Sequence, residues 1–173
     1  MATCLITSGY SLGCRNQAGV QKVFIGSWNG PLLTYTYAAD GYTIGTFSGA
    51  TTSFYGFSQT IETASYTYAA EYNNENNAVQ YAQTLEITLP QLTAELINQT
   101  KLLNQGVWRI IILDKQGNYW LMGKTGPVQT SASDGGLGKA GTDLHGVKIT
   151  FTSKEDQLLT AVSASAATQL IVQ

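Results

Sequence analysis

The clearest pattern of apolar and polar positions lies in residues 107–124, VWRIIILDKQGNYWLMGK. Two runs rich in β-branched and aromatic residues flank a short polar loop that contains Gly117, an order typical of a β-hairpin. In the first run, residues 107–113, Arg109 is the only polar residue, so both faces of the predicted strand are largely apolar. A strand of this kind is covered on both sides. One cover must be the domain's own core, and the identity of the other cover decides the function.

A second, longer hairpin is predicted for residues 63–88. Both arms alternate in polarity, and the asparagine-rich segment 73–77 provides the turn between them. Further strands are predicted at 21–28 and 146–152, where apolar residues recur at strand spacing. The chain is therefore expected to be mainly β.

One helix is predicted after the second hairpin. Thr88 and Gln91 fit a capping box, Pro90 is tolerated in a first helical turn, and Gly106 stands where a C-cap glycine belongs. Leucines recur on one face, which indicates that the helix packs against a sheet. These are Leu89, Leu92, Leu96 and Leu103.

Two segments lack the aliphatic residues that a core of their own would need. Residues 32–59 hold aromatic side chains spaced by Gly, Ser and Thr, which predicts a projecting loop or hairpin that packs against something else; a long ordered surface loop is the alternative. Residues 161–173 are rich in small residues and end on an apolar triplet, which predicts a C-terminal arm that docks on a neighbour or frays. The predicted self-assembly contacts are Tyr35, Tyr37, Phe47, Phe54, Phe57, Leu170, Ile171 and Val172.

The length and the charge of the chain narrow the class of protein. A chain of 173 residues fits a single domain with such appendages, and only 12% of its residues are charged, which suits a surface that copies of the same chain cover. Residues 23–100 carry six acids and no Lys or Arg, and the remainder carries nine basic residues and five acids. This asymmetry favours head-to-tail self-association, with an ordinary solvated surface as the alternative. A stripe of basic residues is absent from the sequence, which argues against a DNA-binding protein that reads sequence.

Residues that could carry chemistry are few. Cys4 and Cys14 could form a disulfide, but the start of the chain lacks a secretory signal, which favours free thiols in a product of the cytoplasm. With two cysteines and the single His145, an ordinary zinc site is excluded. No apolar run approaches the length needed to span a bilayer, so no membrane partner is expected.

Two glycine-rich strings resemble nucleotide-binding motifs. Residues 136–141, GLGKAG, match G-x-G-x-x-G, but a strand follows where a dinucleotide site needs a helix, so a loop is predicted. Gly123-Lys124-Thr125 matches the end of a P-loop, but the upstream glycine is one residue out of place. The sequence therefore predicts a protein that is not an enzyme and binds no cofactor and no metal ion.

The second half of the chain resembles virion structural proteins of phages that infect Bacteroidetes hosts, and within them the tail tube proteins. The resemblance covers residues 14–28 and about 63–160, whereas 32–59 looks like an addition. It is carried by four strings: CRNQAGVQKVFI (14–25), GVWRII (106–111), DKQGNYWLMG (114–123) and GVKITFTSKE (146–155).

The resemblance implies a fold and a function. It implies a β-sandwich that curls toward a barrel, with one flanking α-helix and an extended loop or arm. It also implies stacked rings, commonly hexameric, whose inner strands line a channel for double-stranded DNA in the virion tail, beside other tail proteins. An acidic lining would repel DNA phosphates and let the genome slide. The acidic residues expected to face this lumen are Glu62, Glu71, Glu75 and Glu86.

Two rival functions remain at this stage. The same sandwich could be a capsid decoration protein or a neck protein of the virion. It could also be a carbohydrate-binding β-sandwich in which Tyr66, Tyr68 and Tyr72 provide stacking platforms, although packing in a core or an interface explains the same tyrosines.

Overall fold

The computed structural model describes residues 17–28, 34–48, 53–60, 62–73, 75, 78–140 and 143–172. Strands dominate this part of the chain, which confirms the mainly β prediction. The strands are β1 (Val20–Ser27), β2 (Thr34–Tyr37), β3 (Ile44–Ser48), β4 (Phe54–Ser58), β5 (Ser65–Asn73), β6 (Ala78–Pro90), β7 (Val107–Asp114), β8 (Tyr119–Met122), β9 (Val128–Gly136), β10 (Gly146–Glu155), β11 (Thr160–Val162) and β12 (Ile171–Val172). The helices are α1 (Ala94–Gln105) and α2 (Ala164–Leu170).

The strands form one sheet that folds back on itself as a β-sandwich. Hydrogen bonds join them in the order β2-β3-β11-β8-β7-β9-β10-β6-β5, while β1 pairs with both β7 and β4, and β12 pairs with β4. The first layer therefore centres on β1, β7 and β8, and the second layer consists of β9, β10, β6 and β5. The two layers face each other across a common core.

The main core lies between the two layers, and α1 closes one side of it. Ile110 and Ile112 of β7 pack here with Leu85 and Ile87 of β6, and all four side chains are buried. Leu103 is the buried residue of α1, and Leu96 packs against the same cluster. This helix is the flanking α-helix that the resemblance implies.

A second core covers the opposite face of β7 and β8. Ile111 and Leu121 pack there against Ile44 of β3, Phe54 of β4 and Leu170 of α2. The prediction that both faces of the central hairpin are covered is therefore confirmed, but both covers come from the same chain. A sister molecule is not needed to complete this hairpin, because β3, β4, β11 and α2 already complete it.

The two predicted hairpins are confirmed. β7 pairs with β8 from Ile110↔Met122 to Leu113↔Tyr119, and β5 pairs with β6 from Ser65↔Glu86 to Asn73↔Ala78. The start of the helix was predicted too early. β6 continues to Pro90 because Gly146 and the residues that follow it in β10 pair with its end. Proline is tolerated there since it stands at a strand end.

The N-cap of α1 differs from the predicted one, whereas its C-cap is the predicted residue. The side chain of Thr93, and not that of Thr88, caps the helix by accepting a hydrogen bond from the backbone N–H of Leu96 at 3.1 Å. Gly106 is the C-cap as predicted, and its N–H donates to the carbonyl of Leu102 at 3.1 Å.

The segment 32–59 does not project in its described parts. β2 and β3 form a hairpin, which is one of the two predicted conformations. The segment is nevertheless part of the sheet, because β3 pairs with β11 and β4 pairs with β1. Ile44 and Phe54 are fully buried in the second core. Gly26 allows this packing, because a Cβ at that position would lie 3.1 Å from the Phe54 ring. Part of this segment thus completes the chain's own core, whereas Tyr37, Tyr42 and Tyr55 remain exposed.

The C-terminal segment also packs on its own chain. β11 pairs with β8, α2 buries Ala166, Ala167 and Leu170, and β12 pairs with β4 in parallel. Residues 161–172 therefore pack against the second core and do not form an arm that extends away from the domain. Residue 173 lies outside the described residues.

A buried carboxylate holds the corner where the first layer passes into the second. β8 and then β9 pair along one edge of β7, and the chain turns between them at residues 123–127. The two carboxylate oxygens of Glu155, at the end of β10, accept the backbone N–H groups of Gly123, Lys124 and Thr125 at 2.8, 2.9 and 3.0 Å. The Nε of Arg109 donates to the carbonyl of Gly123 at 2.7 Å.

Both charged side chains of this corner are almost fully buried. Arg109 is 1% exposed and Glu155 is 3% exposed. Burial lowers the pKa of the Arg109 guanidinium, and the negative charge of Glu155 partly offsets that effect. The guanidinium also lies 4.2 Å from the centre of the Trp28 ring, a cation–π contact. A buried charge is tolerated when hydrogen bonds and an opposite charge compensate its lost hydration.

We expect Glu155→Gln to lower the free energy of unfolding by about 3 kcal/mol, because it removes the charge that compensates Arg109 and turns an amide N–H₂ toward backbone donors. Urea denaturation monitored by tryptophan fluorescence measures the loss. The matched control is Asp156→Asn at the next, exposed residue, for which we expect a loss of at most about 1 kcal/mol. Equal losses in the two variants would contradict the role given to Glu155.

The packing of Gly123 at this corner can be tested against Gly117, which lies in the turn between β7 and β8. Gly117 and Gly123 both have φ +86°, but a Cβ on Gly117 would meet no atom within 4 Å, whereas a Cβ on Gly123 would lie 2.8 Å from Cγ2 of Val128. Gly117→Ala should cost about 1 kcal/mol of stability from backbone strain alone. Gly123→Ala should cost a further 1–3 kcal/mol or so from the clash. Thermal denaturation of both variants gives the comparison, and indistinguishable midpoints would refute it.

Candidate functional site

The hairpin of β5 and β6 extends beyond the sandwich. β10 supports β6 from Pro90 back to Tyr81, where Glu155 is the last paired residue. Beyond that point the two arms pair with each other, and residues 71–73 and 78–80 are all exposed. We call these six residues the hairpin end. Such an extension buries little of its own surface, so packing within the described chain does not explain it.

A tyrosine-rich stripe runs along one face of this hairpin. Cross-strand partners share a face, so Tyr66 opposite Leu85, Tyr68 opposite Gln83 and Tyr72 opposite Val79 form one row. Leu85 belongs to the main core at the base of the row.

Farther out, the same face is open to solvent. Tyr68 is 56% exposed, Tyr72 is 73% exposed and Val79 is 44% exposed. We call these three residues the exposed stripe. The apolar face of the core thus continues onto a surface that the described chain leaves uncovered.

The outer edge of β5 is a second feature of this hairpin. β5 is the last strand in the order of the sheet, and in the described part of the chain no strand pairs with its outer edge. Its nine residues contain no proline. An edge strand of this length presents backbone N–H and C=O groups to which another chain can add a strand.

The base of the hairpin is fixed by buried polar contacts. The Tyr66 hydroxyl donates to Oε1 of Gln83 at 3.0 Å, and Nε2 of Gln83 donates to the carbonyl of Gln157 at 2.8 Å. Burial raises the pKa of the Tyr66 phenol, with a further contribution from the charge of Glu155, so this hydroxyl remains a hydrogen-bond donor. The hairpin is therefore held rigidly where it leaves the sandwich.

The four acids predicted to line a lumen do not form a cluster. Glu86 pairs with Lys148 of β10, and Glu71 pairs with Lys154 of β10 at 2.9 Å. Glu62 and Glu75 are exposed and lie beyond the two ends of β5. Lysines that are distant in sequence neutralise part of the acidic region, so the sequence asymmetry overstates the charge asymmetry of the fold.

The predicted self-assembly contacts are mostly used within the chain. Phe54 and Leu170 are buried in the second core, where Tyr35, Phe47 and Ile171 also pack. Phe57 packs against the main core. Only Tyr37 and Val172 of the eight are exposed, at 44% and 47%. The prediction was wrong for Phe54 and Leu170, because alternation along short strands does not show which neighbour covers an aromatic side chain.

The motifs that resemble nucleotide sites have structural roles. Gly136 ends β9, and residues 137–140 belong to the connection to β10; among the described residues of this connection none is helical, and Gly141 lies outside the described residues. The backbone N–H groups of Gly123-Lys124-Thr125 do bind an anion, but the anion is the chain's own Glu155. His145 Nδ1 accepts the N–H of Leu92 at 3.3 Å.

The comparisons with known proteins add no assignment. No family model, curated protein or solved structure matches this chain. Its function must therefore be argued from the geometry. In the described residues, no helix is both long enough and apolar enough to cross a membrane, and no group of three or more His, Cys, Asp or Glu side chains is arranged to hold a metal ion.

One further surface was not evident from the sequence. Trp120 lies between two adjoining cavities of about 260 and 400 Å³ at the base of the hairpin. Its Nε1 donates to Oδ2 of Asp114 at 2.9 Å, and Asp114 also accepts from the side chain and the backbone of Asn118. Burial alone would raise the pKa of Asp114, but hydrogen bonds from Trp120 and Asn118 outweigh it and lower that pKa.

We expect Asp114→Asn to lower the stability by about 1–2 kcal/mol at pH 6. A carboxyl whose pKa is lowered on folding contributes stability above its unfolded pKa of about 3.9, and this contribution is lost as the pH falls through the folded pKa. The difference between the two proteins should therefore shrink below about pH 4. Urea denaturation at a series of pH values measures it; a difference that does not change with pH would exclude a role for the charge.

Proposed function

We propose that this chain is a non-enzymatic structural subunit of a phage virion that self-assembles through the hairpin of β5 and β6, and specifically a tail tube subunit. The observation that carries the proposal is the continuation of the core face beyond the sandwich as the exposed stripe, beside the outer edge of β5. The subunit is made in the host cytoplasm and resides in the virion tail.

The shape of the contact favours rings or filaments over a two-fold dimer. The hairpin end is a projecting element, which in this proposal is received by a different surface on the next copy. Such a head-to-tail contact produces a closed ring when the rotation closes and a helical filament when it does not. Stacked rings follow if a ring presents a second contact surface to the next ring.

The outer face of the second layer is suited to line a channel. It carries Thr67 of β5, Thr84 of β6, and Thr150 and Thr152 of β10, with the two lysine–glutamate pairs beside them. These hydroxyls and paired charges make a polar face with little net charge. Double-stranded DNA would find few cations to bind on it, so the genome slides without a strongly acidic lining.

A capsid decoration or neck protein is the competing structural role. It would use the exposed stripe to bind a different virion protein and not a second copy. The distinction rests on whether the purified chain assembles alone, since a tube subunit carries both halves of its contact and a decoration protein carries one.

The test is assembly of the purified protein, followed by sedimentation velocity and negative-stain electron microscopy. We expect rings or hollow filaments to form as the concentration rises. The double variant Tyr72→Ser and Val79→Ser should raise the concentration needed for assembly about tenfold or more, because it removes apolar contact area at the centre of the proposed interface. Both residues are exposed, so the variant should fold normally.

The matched control is Leu137→Ser, which removes a side chain that is 72% exposed in the connection between β9 and β10. It should assemble at the same concentration as the unchanged chain. A chain that stays monomeric at all accessible concentrations would refute the tube. Assembly that is equally impaired by Leu137→Ser would show that the exposed stripe is not the contact.

A further inference from the structure

The two cavities beside Trp120 form one aromatic cleft between two hairpins. Both are lined by Trp120, Leu158 and Leu159. Tyr66 and Tyr68 of β5 line the smaller cavity. The larger one, of about 400 Å³, is lined on the far side by the hairpin of β2 and β3, which contributes Tyr37 and Tyr42. Its volume lies within the range of about 300–1,000 Å³ that is usual for sites that bind small molecules.

Several of these rings are available to a ligand. Tyr42 is 71% exposed, Tyr68 is 56% exposed and Tyr37 is 44% exposed, while Trp120 is partly buried beneath them. Rings that are exposed in this way present flat apolar faces and polar hydroxyl groups to the same space. The cleft is therefore neither a uniformly apolar groove nor a gap between loosely packed loops.

A lysine, Lys124, lines the larger cavity. The Lys124 ammonium donates to the Tyr37 hydroxyl at 2.7 Å and to Oε1 of Gln157 at 2.6 Å, and it lies 5.1 Å from the centre of the Tyr35 ring. Lysine has three N–H donors; the Tyr37 hydroxyl and Gln157 take two of them, and the Tyr35 hydroxyl also interacts with the ammonium. Among the described residues no carboxylate forms a salt bridge with Lys124.

The nearby acids are occupied by other donors. Glu155 accepts the three backbone N–H groups of the corner, including the one of Lys124 itself. Asp156 accepts the hydroxyl of Thr125 at 2.8 Å. The lysine head group is thus held in place by neutral partners, in a partly buried aromatic setting where its charge is weakly screened. Such a cation attracts a negatively charged ligand group.

We propose that this cleft binds a saccharide that carries a carboxylate, such as a uronic acid residue. The carboxylate pairs with the positive charge of the Lys124 ammonium, one face of the sugar ring stacks on the Tyr42 or Trp120 ring, and the amide of Gln157 and the Tyr37 hydroxyl bind ring hydroxyls. The ligand class follows from the combination of flat apolar rings, neutral hydrogen-bonding groups and one cation whose charge has no carboxylate partner. The cleft is complete within one chain, so ligand binding does not require self-assembly, although Tyr68 of the smaller cavity also belongs to the exposed stripe.

The test is isothermal titration of the full chain with three probes at low ionic strength: trigalacturonate, maltotriose and acetate. We expect trigalacturonate to bind about tenfold or more tightly than maltotriose, and acetate to give no measurable heat, because the charge and the ring stacking act together. Added salt should weaken the binding of trigalacturonate and leave that of maltotriose unchanged.

Two variants separate the parts of the site. Lys124→Met keeps the length of the side chain and should reduce the affinity for trigalacturonate about tenfold, down to that for maltotriose. Tyr42→Ala removes an exposed ring and should weaken both saccharides. The matched control is Tyr55→Ala, in β4 and outside the cleft, where the tyrosine is 61% exposed; it should bind like the unchanged chain.

Three outcomes would overturn the proposal. Equal affinity for the acidic and the neutral trisaccharide would remove the role of Lys124. The absence of saccharide binding in the folded, unchanged chain would remove the site. Loss of self-assembly in Lys124→Met, with unchanged saccharide binding, would assign the cleft to a neighbouring subunit. The thermal midpoint of each variant shows whether it is folded, and Tyr42→Ala tests the site even if Lys124→Met is unstable.

Discussion

The fold depends on a carboxylate that is removed from water and shared among backbone donors. Glu155, at the end of β10, binds three consecutive N–H groups where the chain turns from β8 to β9. Gly123 is buried, so its N–H would otherwise be left without a partner, which costs more than an ordinary hydrogen bond contributes. Arg109 binds the carbonyl of the same glycine and supplies the opposite charge. The two layers are joined at this point by electrostatics as much as by packing.

Both candidate surfaces are positioned by this corner. Through Gln83, which donates to Glu155 and accepts from the Tyr66 hydroxyl, the polar contacts of Glu155 extend to the base of the long hairpin. Through the backbone of Lys124, they fix the starting point of the side chain that lies in the aromatic cleft. A surface used for recognition must be held in position before its ligand arrives, since ordering it on binding reduces affinity. The buried pair of charges therefore serves the surface of the molecule as well as its stability.

Local features of the fold could be predicted from the sequence. Features that depend on contacts between residues far apart in the chain could not. The two hairpins and the C-cap at Gly106 follow from alternation and turn residues that lie close together in the chain. The start of α1 does not, because pairing with β10, nearly sixty residues later, keeps Thr88 and Leu89 in a strand. The cover of the second core also could not be predicted, since Ile111 meets Phe54 and Leu170 from both ends of the chain. Lys124 lies in a string resembling the end of a P-loop, but no nearby residue identifies Glu155 as the anion that the loop binds.

The closed second core changes the physical basis of the proposed assembly. A subunit whose central sheet needed a sister molecule would be unfolded or aggregated before it met one. This chain covers both faces of its central hairpin itself, so it can fold first and assemble afterwards. An interface added to a completed fold must then lie on elements that the core does not require. The hairpin end is such an element, because removal of its exposed side chains leaves the contacts of Leu85 and Ile87 intact. In the proposed assembly, the low overall charge of the chain would reflect surface shared between folded subunits, and not a sheet that is incomplete without them.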